Sequence, residues 1–208
     1  MTQTTPNYKK TLNLPQTSFP MRGNLAQNEP QSVKRWEKEN LYEAIQDARA
    51  EEDPFVFHDG PPYANGSIHL GHVLNKVLKD LVVRHQSMSG KRCPFIPGWD
   101  CHGLPIEHLV MTELAESGKL EKINALEDDV RRIAIRRECK KSAEKYVKLQ
   151  KGQMQRLMTL ADYKNPYLTM NPAYESAVLE VFAKLVDAGV VYRQLKPVHW
   201  SIANQTAL

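Results

Sequence analysis

Twice along this chain a short aromatic or β-branched run feeds a loop of Gly, Pro, Asp and His, which in turn feeds a helix with an apolar stripe. The first copy is Phe55, Val56 and Phe57, then HDGPPYANG, then a helix for which Ser67 is available as N-cap. Along that helix Val73/Leu74, Val77/Leu78 and Leu81/Val82 recur every four residues, and Gly90 can close it. The second copy runs from residues 93–96 through PGWDCHGLP into a helix over residues 106–117, with Gly118 at its end. Strands that alternate with helices point to an α/β sheet of largely parallel type.

The flanks differ in character. Pro6, Pro15, Pro20 and Pro30 stand among Asn, Gln and Thr without periodicity, so the first thirty or so residues read as an extended arm. Over residues 31–50, Val33, Trp36, Leu41, Ala44 and Ile45 recur at helical spacing behind Ser32, a single amphipathic helix. Residues 127–160 form a long helical tract, acidic at Glu127, Asp128 and Asp129 and basic beyond, a polarity that suits the helix dipole. Its basic run includes Arg131, Arg136, Lys140, Lys145, Lys151 and Arg156; with Glu138 and Glu144 interspersed it reads as a solvated face rather than a nucleic-acid surface. Asn171 and Pro172 open one more helix, whose Val178, Leu179, Phe182, Leu185 and Val186 form a core stripe ending at Gly189. Strands are expected over residues 190–192 and 198–200.

Composition limits the class. With 41% hydrophobic and 25% charged residues over 208 positions, the chain can bury a sizeable core, which excludes collagen, a coiled-coil rod and outright disorder. No stretch approaches the ~20 apolar residues of a membrane helix, and MTQTTPNYKK lacks a secretory apolar stretch, so a cytoplasmic protein is expected. Cys93, Cys101 and Cys139 form no CxxC pair, which argues against a disulfide framework or zinc knuckle. A net charge of +4 permits a polyanionic partner without requiring one. Thr206, Ala207 and Leu208 carry no cap, charged tail or turn, so a piece of a longer chain is expected.

The loop after the first strand carries the most chemistry. In open α/β sheets, ligands bind beyond the carboxyl ends of the strands, where the next helix points its N-terminus. His69 and His72, three apart in that helix's first turns, can face one ligand together, and Gly71 removes a side chain between them. Two imidazoles beside unpaired amides suit a phosphate that gains charge in a transition state. Zinc is the rival, but HLGH lacks the glutamate of HExxH and a third ligand would have to come from elsewhere. Asp100 can bind a cation or cap a turn. His102 can line the site or hold its loop; Trp99 and the cysteines read as packing.

HDGPPYANGSIHLGH, residues 58–72, resembles the signature of the class I aminoacyl-tRNA synthetases in its isoleucine-specific form. GWDCHGLPIEH, residues 98–108, resembles the same group, as do TLNLPQTSFPMRGNL and NPYLTMNPAYESAVLEVFAKL, so the likeness spans nearly the whole chain. It implies an arm and helix over residues 1–50, the first half of a Rossmann-like nucleotide-binding catalytic domain over 51–196, and the start of the connection into an editing insertion over 197–208. The implied activity is ATP-dependent conversion of isoleucine to isoleucyl adenylate, then transfer to tRNA(Ile), by a monomer with no membrane partner. ATP would enter as its Mg2+ complex.

By position, the resemblance gives His69 and His72 the ATP phosphates, Gly71 the adenine, and Asn65 the orientation of ATP. Gly60 and Pro61 would wall the isoleucine pocket, and Asp100 would hold the substrate ammonium. A pocket for isoleucine excludes valine poorly, and isoleucyl enzymes are themselves the standard example of that limit, so editing is expected elsewhere in the protein. The KMSKS loop, the anticodon-binding domain and any C-terminal zinc site do not occur in these residues, and the 208-residue chain alone is expected to be inactive. HWSIANQTAL lacks a cysteine pattern often seen after this tryptophan, a mark of sublineage. The rivals are a stand-alone nucleotidyltransferase and a noncatalytic nucleotide- or tRNA-binding module derived from a synthetase.

Overall fold

The computed structural model describes residues 8, 11–13, 17–203 and 206–207. Seven helices occur among them: α1 Leu25–Lys38, α2 Leu41–Ala48, α3 Leu70–Met88, α4 Leu104–Glu116, α5 Leu120–Asn124, α6 Asp128–Arg156 and α7 Pro172–Asp187. Four two-residue strands accompany them: β1 Gly98–Trp99, β2 Tyr167–Leu168, β3 Trp200–Ser201 and β4 Thr206–Ala207. The α/β class with a parallel sheet is borne out.

Three extended segments lie side by side with residues 92–101 in the middle. On one flank Arg92 N–H donates to Asp53 O (3.1 Å) and Phe55 N–H to Arg92 O (2.8 Å), around a parallel bridge between Pro54 and Arg92. Farther along, Asp100 N–H donates to Pro62 O (2.8 Å) and Ala64 N–H to Asp100 O (2.9 Å), around a second parallel bridge, Tyr63 to Asp100. On the other flank β1 pairs with β2 in parallel, Gly98 beside Tyr167 and Trp99 beside Leu168. The expected strands at 55–57 and 93–96 are extended but form no continuous ladder. Pro54, Pro61, Pro62, Pro94 and Pro97 each remove a ladder donor, which reduces pairing to these short stretches.

The helices anchor that sheet. One core joins Ala64, Trp99 and Cys101 to Ile106, Val110 and Leu114 of α4 and Ala143 and Met154 of α6; a second joins Val83 of α3 to Cys93, Phe95 and Ala161. Asp80 of α3 accepts Leu160 N–H (2.7 Å) and pairs with Arg84 (2.6 Å), whose guanidinium lies 5.5 Å over the Trp36 ring. That chain ties α3 to α1 and to the loop after α6.

Several expectations need correction. The helix expected over 31–50 is two helices, broken at Asn40, which takes a left-handed φ of 48° that Asn tolerates better than most residues. The break turns α2 onto the middle segment, where Tyr42 Oη accepts Phe95 N–H (3.0 Å) and Gln46 donates to Cys93 O (3.2 Å). The extended arm ends earlier than expected, because α1 begins at Leu25 and carries Pro30 within it. α3 is capped by His69 and not by Ser67. α7 buries none of its residues, although its stripe read as core: Leu179 is 66% exposed and Phe182 51%. Its first turn is tethered through Tyr174, stacked on Tyr167 with ring centroids 5.9 Å apart, and through Glu175, 3.3 Å from His102. Residues 190–192 pair with no strand among those described; β3 instead pairs antiparallel with β4. A solvated face for the basic tract is consistent with the ion pairs Arg131 to Asp128 and Lys141 to Glu138, whose side chains are all at least 37% exposed.

Candidate active site

The first turn of α3 explains its own sequence. His69 is the N-cap, and its Nδ1 accepts Gly71 N–H (3.1 Å), while His72 Nδ1 accepts His69 N–H (3.3 Å). The two rings lie 4.0 Å apart, centroid to centroid. A ring whose Nδ1 accepts a hydrogen bond carries its proton on Nε2, so both imidazoles present Nε2–H donors outward. The same bonds leave a neutral ring no lone pair for a metal, which weighs against the zinc alternative. Burial lowers the His72 pKa first, then the charges of His69 and of Lys76 one turn on, which favours the neutral, capping form.

Gly71 has a structural reason the sequence did not show. A β-carbon there would stand 2.9 Å from Cε1 of His69, so the cap needs glycine. A β-carbon on Gly60 would meet nothing within 4 Å, and Pro61 is half-buried beside it. Asn65 is exposed in the bend before α3.

The Tyr63 to Asp100 bridge brings the second loop to the first. Asp100 is half-buried, and its Oδ1 accepts His102 N–H (3.2 Å) and faces the Thr169 hydroxyl (3.4 Å). Its other oxygen makes no hydrogen bond among the described residues. The turn-capping reading of this aspartate is thus seen directly in one oxygen. Thr169, which also accepts Cys101 N–H (2.9 Å), carries no sequence signal that marks it as a site residue.

No hydrogen bond or ion pair among the described residues joins His102 to the histidine pair. The Nε2 of His102 lies 2.9 Å from Thr169 O and 3.3 Å from Glu175 of α7. It lines a separate cavity of about 450 Å³ with Cys101, Ile106, Glu107 and Cys139.

One ion cluster went unread in the sequence. Asp59, directly before Gly60, sits between the ammonium groups of Lys76 and Lys79, with its side chain 5% exposed. His69, His72, Lys76 and Lys79 share one face of α3 at helical spacing, a pattern that could have exposed the cluster. The Tyr167 hydroxyl donates to Asp59 O (3.2 Å), so the same residue ties the first loop to β2.

Paired imidazole donors at a helix start thus stand with a carboxylate beyond the ends of parallel strands, where open α/β sheets bind their ligands. Residues 31–208 match the family described as "tRNA synthetases class I (I, L, M and V)", and the chain belongs to that family. It is 51% identical over 202 residues to the isoleucine–tRNA ligase of Kosmotoga olearia, and 48% to that of Desulfitobacterium hafniense strain Y51. Each match covers 97% of this chain and 21% of the relative's length. The fold resembles that of the Agrobacterium radiobacter K84 agnB2 LeuRS in its ternary complex with tRNA and LeuAMS (TM-score 0.67, 22% identity, 90% of this chain and 21% of that one).

Proposed function

We propose that these residues form the amino-acid- and ATP-binding half of an isoleucine–tRNA ligase active site. The observation that carries the reading is the Tyr63 to Asp100 bridge, which sets the HDGPPYANGSIHLGH and GWDCHGLP loops side by side at the same end of the sheet. The names of the relatives support the choice of isoleucine.

On this reading Asp100 holds the isoleucine ammonium through its uncommitted oxygen, and Gly60 and Pro61 wall the aliphatic side chain. An oxygen of the isoleucine carboxylate attacks the α-phosphorus of ATP, the bond to the β-phosphate bridging oxygen breaks, and pyrophosphate leaves. The Nε2–H groups of His69 and His72 donate to phosphate oxygens as charge builds, without a proton changing hands. Gly71 and Asn65 lie on the nucleotide side. Magnesium enters with ATP and offsets part of the triphosphate charge. A ribose hydroxyl of the terminal adenosine of tRNA(Ile) then attacks the adenylate carbonyl and releases AMP.

The reading includes the division into residues 1–50, 51–196 and 197–208, and a monomeric cytoplasmic enzyme. The free thiols of Cys93, Cys101 and Cys139 fit a reducing compartment, and no helix among the described residues is long and apolar enough to cross a membrane. The test is ATP–pyrophosphate exchange by the protein encoded by the complete reading frame that carries these residues. Exchange that depends on isoleucine supports the assignment; exchange driven by leucine or methionine overturns it. Binding of nucleotide or tRNA without exchange would favour the noncatalytic module.

A further inference from the structure

α6 reads as a charged helix, yet it sends a primary amide into the core. Gln150 is 1% exposed, among the most buried side chains described. A buried amide is costly unless its donors and acceptor are used, and here they are. Its Oε1 accepts the Trp99 indole N–H (3.0 Å), and its Nε2 donates to Tyr63 O (2.9 Å) and Gly66 O (2.8 Å). The chemistry fixes the amide's orientation: an indole N–H only donates and backbone carbonyls only accept, so the reversed amide would lose all three bonds. One turn on, Gln153 Oε1 accepts Ile68 N–H (3.0 Å).

The partners are not arbitrary. Tyr63, Gly66 and Ile68 lie in the loop that delivers His69, and Trp99 directly precedes Asp100. Gln150 is thus a rigid strut between the two loops, tied to both at once. Glutamate could not replace it, because a carboxylate would face two carbonyl oxygens; methionine would keep the length and lose every bond.

Resting on the isoleucine–tRNA ligase reading, we infer that Gln150, assisted by Gln153, is a positioning residue for adenylate formation. It sets the separation between the His69/His72 phosphate donors and the Asp100 ammonium site, and so the distance from the isoleucine carboxylate to the α-phosphorus. A misplacement of about 1 Å in such a reacting pair costs on the order of 100-fold in rate.

The experiment uses the complete reading frame, with Gln150→Met, Gln150→Glu and Gln153→Met. Active sites are titrated by the burst of adenylate formed, so that unfolded protein does not count. The Gln150 variants should lose roughly 10- to 100-fold in kcat per titrated site, with KM for isoleucine and ATP changed less than about threefold. Gln153→Met breaks one bond at a less buried position and should cost several-fold in the same parameter. A purely structural role would lower the number of active sites or the melting temperature while leaving kcat per site intact, and that result overturns the inference. Should the Gln150 variants not fold, the Gln153→Met result decides, since unchanged kcat per site there also overturns it. Wild-type protein without isoleucine-dependent exchange would instead sink the functional reading on which the inference rests.

Discussion

The ring of Tyr167 lies across Gly98, so close that a β-carbon on Gly98 would stand 2.0 Å from the ring's Cζ. The two residues face each other across the β1–β2 ladder, and the Tyr167 hydroxyl reaches on to Asp59 O (3.2 Å). Gly98→Ala must therefore push the ring off Tyr174 and off Asp59. We expect a loss of about 2 kcal/mol in urea unfolding, the usual scale of overpacking. In a Tyr167→Ala background the same substitution should cost little; additive costs would show that the ring is not what Gly98 accommodates.

Asp59 is one carboxylate between two ammonium groups. Asp59→Asn leaves two lysines without a counter-charge and should cost about 3 kcal/mol, whereas Lys79→Met leaves a balanced pair with Lys76 and should cost clearly less. Denaturation midpoints of the two variants check the order. Equal losses would mean that the lysines do not share the carboxylate.

His72 titrates below the ordinary 6.5, through burial first and then His69 and Lys76. Between the native and unfolded values the unfolded chain holds the proton and the native one does not, so stability rises with pH in that window. Its contribution is complete above about pH 6.5 and is lost as pH falls through the native value, when a protonated Nδ1 can no longer accept His69 N–H. His72→Ala should flatten this part of the stability–pH curve. In the complete protein it should also lower the exchange kcat by ~100-fold or more with little change in isoleucine affinity. An equal loss in both would reduce His72 to a pocket-shaping residue.

Alkali should act on two buried groups. Burial is the main reason the Cys101 thiol is raised from 9.0 to about 11 and the Tyr163 phenol from 10.0 to about 12. Here the native state keeps protons that the unfolded chain releases. Their stabilisation is full below about pH 9 and drains away as pH climbs through 11 and 12. Tyr163→Phe should remove the upper part of that loss, and Cys101 should resist iodoacetamide at pH 8 until urea is added. Rapid native-state alkylation of Cys101 would contradict its burial.

What was legible in the sequence was local. The placing of His69 and His72 in one helical turn follows from spacing alone, and Gly90, Gly118 and Gly189 each follow a helix with positive φ, as a closing glycine should. Long-range partners left no such trace. Nothing near Gln150 announces that it meets Trp99 across 51 positions or Gly66 across 84. The helix break at Asn40 and the fragmentary strands were hidden for a related reason. Apolar periodicity registers which face is greasy but not where prolines or a left-handed asparagine interrupt the backbone. His69 as cap was missed because Ser67 is the commoner capping type, and only Gly71 lets the imidazole fold back.

The exposed stripe of α7 makes the isolated polypeptide an amphiphile. Val178, Leu179, Phe182, Leu185 and Val186 present an oily strip to water in a chain otherwise rich in charge. Handled alone, such a molecule should elute late from a phenyl resin, brighten the dye ANS and salt out early. Adsorption of this kind, rather than loss of the fold, would then set its working concentration at the bench.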